Sequence, residues 1–289
     1  MEINKKEGKK ISFNLSPSSL NVYYKSPLLF YLKYIAKVPD DTKVPICYSL
    51  SGSIVHDCLE KYAKRELNRN EVYNKLAEEW NNKNLGFHKN INNQLLNQTE
   101  YMVAMIKGMQ IIDQHEDHVC EEMISFSFRE NEEMIIGLKG IVDLQARQTH
   151  DKKQVIIDYK TSNSINSGKD FERQALFYNL LIHKQKNILP SKTVFYYLKL
   201  GVPKEYLFTE EHIESFENEL HTVAEEIMSH GLNITNYPIG IVDDLFNSKK
   251  QACLNEIARR EQLIFSGKEN ALTENRTRDS TATGSCFNH

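Results

Sequence analysis

Between Ile124 and Tyr159 the apolar residues fall into a period of two, whereas the chain on either side keeps the 3.6-residue spacing of helices. That change of period constrains the fold more than any other feature, because a run of half-apolar strands needs helices to cover it. Ile124, Phe126 and Phe128 alternate with Ser125 and Ser127, and 134–145 and 154–159 read as two further strands joined at His150-Asp151-Lys152-Lys153. Upstream, Ser16 and Pro17 form a helix start, and that helix stops before Pro27. Residues 28–34 read as a short apolar helix. Ile54, Val55, Cys58, Leu59, Tyr62 and Ala63 mark a longer one, and 71–83 and 93–118 are two more. Downstream, 168–186 is helical, 193–200 is β-rich, and 210–230 and 243–262 are helices. The expected fold class is α/β (α+β): a small mixed sheet, mainly antiparallel, flanked by helices. A single domain spans 11–262 with a helical insertion at about 64–118, and the Ser/Thr/Asn-rich end, 263–289, is expected to be disordered.

Composition narrows the function classes. With 40% hydrophobic and 26% charged residues, a chain of 289 builds a soluble core without staples. A net charge of −3 excludes a coat of positive charge for nucleic acid but leaves room for a local groove. Residues 1–37 carry a surplus of five positive charges, with Lys5, Lys6, Lys9, Lys10, Lys25, Lys33 and Lys37 against Glu2 and Glu7. These lysines are candidate phosphate contacts. No apolar run is long enough for a membrane span, and no signal peptide is expected. Cys47, Cys58, Cys120, Cys253 and Cys286 are scattered, with no C-x-x-C pair, which points to a reduced, cytoplasmic protein rather than a disulfide or zinc framework.

The chemistry concentrates in Gly140-Ile141-Val142-Asp143 and Val155-Ile156-Ile157-Asp158-Tyr159-Lys160. Asp158 and Lys160 are two apart on a strand and leave one face. A turn centred on His150-Asp151 sets Asp143 opposite Asp158, where like charges on paired strands repel. Both acids interrupt apolar strands. A divalent cation between them relieves the repulsion, and hard oxygen donors suit Mg²⁺ or Mn²⁺. Lys160 then sits beside the site, able to hold a nucleophilic water or offset charge on phosphate. The plainer alternative makes the two acids the solvent side of an amphipathic hairpin, with Lys160 paired to one of them.

Five segments in order carry a resemblance: Ser16-Pro17-Ser18-Ser19-Leu20 through Leu32, Gly52-Ser53-Ile54-Val55-His56, Gly140 to Asp143, Asp158-Tyr159-Lys160, and Gln174-Ala175-Leu176-Phe177-Tyr178. Together they resemble the PD-(D/E)XK nucleases, in particular the RecB-like and Cas4-like branch with its restriction-endonuclease-like core. The resemblance implies a Mg²⁺- or Mn²⁺-dependent deoxyribonuclease acting on single strands or duplex ends in DNA repair, recombination or defence. It implies metal ligation by His56, Asp143, Asp158 and the Tyr159 carbonyl, with Lys160 on the attacking water. Gln174 and Tyr178, four apart on one helix face, orient the lysine and the phosphate. Glu121 or Glu122 corresponds to an accessory acid. On its own spacing a lone histidine at 56 reads as a core residue, and Gln174 and Tyr178 as helix surface and core.

The chain departs from cluster-bearing members of that branch. Ser26 stands where they have the first cysteine, and where they have three near the C-terminus this chain offers only Cys253, in Asn247-Ser248-Lys249-Lys250-Gln251-Ala252-Cys253. Serine lacks the soft thiolate an iron–sulfur cluster needs, so none is expected, and the helices after residue 209 should pack by hydrophobic contact alone. The competing class is a non-catalytic nucleic-acid-binding or interaction module that keeps the fold.

Overall fold

A computed structural model describes residues 10–43, 47–90, 92–165, 168–243, 247–264 and 266. Lys5, Lys6 and Lys9 of the basic arm, Cys286 and the tail from 267 onward lie outside them. The described residues fall into two compact units, one within 10–21 and 45–231, the other within 22–44 and 232–266.

The larger unit holds a six-stranded mixed sheet. Strand β1 (Ile11–Leu15) runs parallel to β3 (Met134–Gln148), and β2 (His115–Glu130) pairs antiparallel with β3. Strand β4 (Gln154–Lys160) pairs antiparallel with β3 and parallel with β5 (Lys192–Tyr197), whose far edge takes β6 (Val202–Tyr206). The β3–β4 ladder runs from Leu144↔Ile157 to Arg147↔Gln154, the register of a turn centred on His150-Asp151. Asp143 and Asp158 are the next positions in that register, and the ladder ends just before them.

Helix α1 (Pro17–Lys25) begins at the Ser16-Pro17 start, and α2 (Pro27–Phe30) leads into a π-helical turn, Tyr31–Ile35. Helices α3 (Cys47–Ala63), α4 (Arg69–Asn82) and α5 (Gln98–Asp113) cover one face of the sheet. Val55, Leu59, Leu76, Met105 and Met109 meet Leu144, Val155 and Ile157 there in one buried core. Helix α6 (Lys169–Lys186) covers the other face, and its Phe177 meets Phe216 of α7 (Glu210–His230) with ring centroids 6.1 Å apart.

Three expectations for the larger unit need correction. The helix expected over 93–118 is shorter: the Asn97 side chain accepts the Thr99 N–H at its start, and the chain is already a strand at His115. There His115 Nδ1 and His118 Nε2 meet the carbonyls of Ile111 and Ile112, so imidazoles occupy the helix end. Strands β1 and β6 add to the sheet without having been foreseen. The β-rich run of 193–200 stops at Tyr197, where a turn feeds β6.

In the smaller unit the C-terminal segment does not pack by hydrophobic contact alone. Helix α8, over 250–264, starts on Asp41, whose carboxylate accepts the N–H groups of Gln251 and Ala252 at 3.1 and 2.7 Å. Arg260 donates to the carbonyls of Ile234 and Tyr237, and Glu256 holds both Arg259 and Arg260. Tyr31 stacks on Tyr237, centroids 4.8 Å apart, while its hydroxyl donates to the Leu232 carbonyl at 2.8 Å. The Ser26 hydroxyl is fully engaged, donating to the Ile239 carbonyl and accepting from the Leu29 N–H. Gly240 has φ +65°, and a Cβ there would fall 2.3 Å from the Lys25 carbonyl oxygen, so only glycine fits this close approach.

Candidate active site

At the point where the β3–β4 ladder ends, the two acids turn to different partners. Asp143 Oδ2 accepts the Tyr159 N–H at 2.8 Å and lies 3.3 Å from Nδ1 of His56 on α3. Asp158 stays on the α6 side, its Oδ1 accepting from Gln174 Nε2 at 3.0 Å and its Oδ2 lying 2.6 Å from Lys160 Nζ. Asp158 and Lys160 therefore do leave one face of β4.

Glu121 supplies the geometry that periodicity does not reveal. Its φ is +50°, a left-handed conformation rare for a non-glycine residue inside a strand. The register holds across it, with Cys120↔Leu144 and Glu122↔Val142. Yet Cys120 joins the core beneath α3, while Glu122 is bound by Lys186 of α6 at 2.9 Å. In a regular strand two residues so spaced share a face. On β3, likewise, Leu144 lies in the α3 core, whereas a Cβ on Gly140 would strike Leu181 of α6. Both strands thus change sides at Glu121 and Asp143. The change brings Glu121, Asp143 and His56 together, with one ligand atom from each within 4.8 Å of the others. Of the two accessory candidates, Glu121 faces the site and Glu122 is occupied by Lys186 and Gln145.

Lys160 is held from several sides. Gln174 Oε1 accepts from its Nζ at 3.0 Å, and the ammonium lies 4.6 and 5.1 Å from the ring centroids of Phe195 and Phe171. Gln174 Nε2 donates to the Tyr178 hydroxyl at 2.8 Å as well as to Asp158. One carboxamide thereby ties together the lysine, the second acid and the tyrosine. The four-residue spacing puts Gln174 and Tyr178 on one helix face, but the Gln174 bridge to both Asp158 and Lys160 depends on how α6 lies against β4, which that spacing does not contain.

The electrostatics match a site built for a cation. Burial alone would lower the His56 imidazole, but Asp143 against it, with Asp158 and Glu121 behind, carries it up to about 9. Burial, reinforced by Asp143, pushes the Glu121 carboxyl up to about 7. Burial acts on Asp143 in the same direction, yet His56 and the Tyr159 N–H hold it below the usual carboxylate range. Asp158 is raised by burial and by Asp143 despite Lys160. Its Oδ2 is buried against the Lys160 ammonium, and a carboxylate oxygen so placed keeps a second lone pair to offer. Three carboxyls, Asp158 buried and Glu121 and Asp143 half-buried, around one imidazole and one ammonium give a hard, mainly oxygen donor set, which fits a divalent ion such as Mg²⁺ or Mn²⁺. His56, Glu121 and Asp143 line a cleft of about 540 Å³ together with Ser49, Gly52, Ser53, Asp57, Glu60 and Ile141.

A mixed sheet lies between helices and carries acids and a lysine where β3 and β4 part. The chain belongs to the PD-(D/E)XK nuclease superfamily, whose profile matches residues 14–238. It is therefore of a nuclease family, with nucleic acid as the substrate class, and such nucleases generally use divalent metals. Among solved structures it is similar to a candidate exonuclease from Eubacterium rectale, at 11% identity and a TM-score of 0.42, over 80% of this chain and 85% of that one. It is also similar to SSO0001, at 13% identity and a TM-score of 0.30, over 61% of this chain and 86% of that one. No curated protein matches the chain in sequence. No helix among the described residues is long and apolar enough to cross a membrane.

Proposed function

We propose that the protein is a Mg²⁺- or Mn²⁺-dependent DNA nuclease that hydrolyses phosphodiester bonds in single strands or at duplex ends. The reading rests on one observation: His56, Glu121 and Asp143 converge beside the Asp158–Lys160–Gln174 network. Asp143, Asp158, Glu121, His56 and the Tyr159 carbonyl would hold the ion, and the chemistry it would supply is Lewis-acid polarisation of the phosphate and a lowered pKa for bound water. Lys160 positions the attacking water and offsets charge as the P–O bond to the leaving strand breaks. Gln174 keeps the ammonium aimed, and Tyr178 in turn fixes the Gln174 amide. The order of the five motifs supports the RecB-like and Cas4-like branch and its end-processing habit. Four free, buried cysteines, Cys47, Cys58, Cys120 and Cys253, support a reducing cytoplasm.

Purified protein should degrade linear DNA with Mg²⁺ or Mn²⁺ and not with EDTA. Lys160→Ala should abolish cleavage while DNA binding, read by anisotropy, stays largely intact. Full activity in Asp158→Ala would remove the proposed metal site. Product sizing on linear, circular, single- and double-stranded DNA and on RNA then fixes polarity and strand preference.

A further inference from the structure

On the nuclease reading, we propose that Met123 and Ile141 form an apolar shelf that takes the sugar next to the scissile phosphate and so selects deoxyribose over ribose. The two side chains are 58% and 45% exposed, large values for apolar residues inside strands. They are a direct cross-strand pair of β2 and β3, so they leave the same face of the sheet. Ile141 lines the cleft that also holds His56, Glu121 and Asp143.

Position along the strands fixes what lies over the pair. Met123 is two residues from Glu121, and Ile141 is two residues from Asp143. That spacing is roughly 6–7 Å along a strand. Successive nucleotides of one strand are about 3.4 Å apart along a duplex axis. A phosphorus held at the carboxylates therefore puts the adjoining sugar within reach of the shelf. Two side chains bury far less than the roughly 800 Å² per partner of a stable protein interface, so a partner protein is the poorer occupant.

The chemistry of the shelf sets its preference. Neither side chain is a useful hydrogen-bond partner. A ribose 2′-hydroxyl pressed against them loses water and gains no partner, whereas the deoxyribose carbon at the same place gains an apolar contact. Base edges are not read there, so the preference is independent of sequence.

The test compares an all-deoxy oligonucleotide with one carrying a single ribonucleotide beside the cleavage position. Wild type should cut the all-deoxy strand on the order of tenfold faster, and should bind it more tightly by anisotropy in EDTA. The Met123→Gln, Ile141→Thr double variant, polar and exposed at both positions, should bring both ratios towards one. Met123→Leu with Ile141→Val should retain them. Mn²⁺ titration by calorimetry should be unchanged in the double variant, which shows that fold and metal site are intact. A wild-type ratio near one, or a ratio unmoved in the polar variant with Mn²⁺ binding intact, overturns the shelf while leaving the nuclease standing. Should the polar variant lose Mn²⁺ binding, the wild-type ratio decides. No cleavage of any nucleic acid by wild type removes the nuclease reading instead, and the binding ratio in EDTA still decides the shelf.

Discussion

At the scale of single residues, Glu121 concentrates the conflict between stability and function. A left-handed conformation costs a non-glycine residue about 1 kcal/mol or more, and the carboxyl is also driven into a site already holding Asp143. A chain selected only for stability would place glycine there. Glu121→Gly should therefore raise stability by about 1 kcal/mol, as measured by urea denaturation in EDTA, and weaken Mn²⁺ binding. A variant that is destabilised in EDTA would show that the carboxylate holds the strands together instead of straining them. The residues flanking Glu121 explain why sequence reading stopped short here. Asp143, Asp158 and Lys160 were legible because charged groups breaking β-branched runs stand out in a string of letters. Glu121 was one of two adjacent glutamates, and nothing local says which of them the backbone turns towards the site. That choice is made by the cross-strand register and by Lys186, 64 residues away, which takes Glu122.

Helix α3 carries His56 to the sheet, and its seat against α5 decides where the imidazole lies. A Cβ built on Gly108 of α5 would come 2.5 and 2.6 Å from the two terminal methyls of Leu59 on α3. The two helices meet through the absence of a side chain. Gly108→Ala should cost on the order of 1–3 kcal/mol by overpacking, less the gain in helix propensity, and should shift α3 enough to weaken Mn²⁺ binding. Trimming the facing residue in a Gly108→Ala, Leu59→Val pair should restore part of both. Additive losses in that double-mutant cycle would show that the two positions do not touch. Long amphipathic elements of this kind were the legible ones: α6 and α7 match their expected spans within a residue or so. The sheet edges were not. Strand β1, Ile11-Ser12-Phe13-Asn14-Leu15, does alternate apolar and polar residues, but it is short and isolated between the basic start of the chain and the Ser16-Pro17 helix start; β6 contains Pro203, a residue tolerated only at an edge or bulge and one that argues against a strand. His115 to Cys120 lack a period-two pattern because that part of β2 is only half covered.

For the molecule as a whole, pH couples stability to metal. Without metal, the folded chain holds the His56 proton up to about pH 9 and the Glu121 proton up to about pH 7. Unfolded, these groups release theirs near 6.5 and 4.5. Both values are raised by folding, so the folded state binds more protons across these windows. The His56 contribution is complete below pH 6.5 and disappears as pH passes 9, and that of Glu121 falls away between 4.5 and 7. Asp143 acts in the opposite direction, since its depressed value favours the folded state above the usual carboxylate range and is lost in acid. The metal-free protein should therefore be most stable in weak acid and lose stability steadily towards pH 9. A divalent ion reverses the slope, because it must displace the same protons to reach its ligands. Apparent affinity should rise roughly tenfold per pH unit for each proton displaced, and the gain in Tm at fixed Mn²⁺ should be larger at pH 8.5 than at pH 6. Calorimetry in two buffers of different ionisation enthalpy counts the protons directly, with one to two released per Mn²⁺ at pH 7 expected. A Tm gain that shrinks with rising pH, or binding without proton release, would mean that His56 and Glu121 keep their protons and that the ion sits elsewhere.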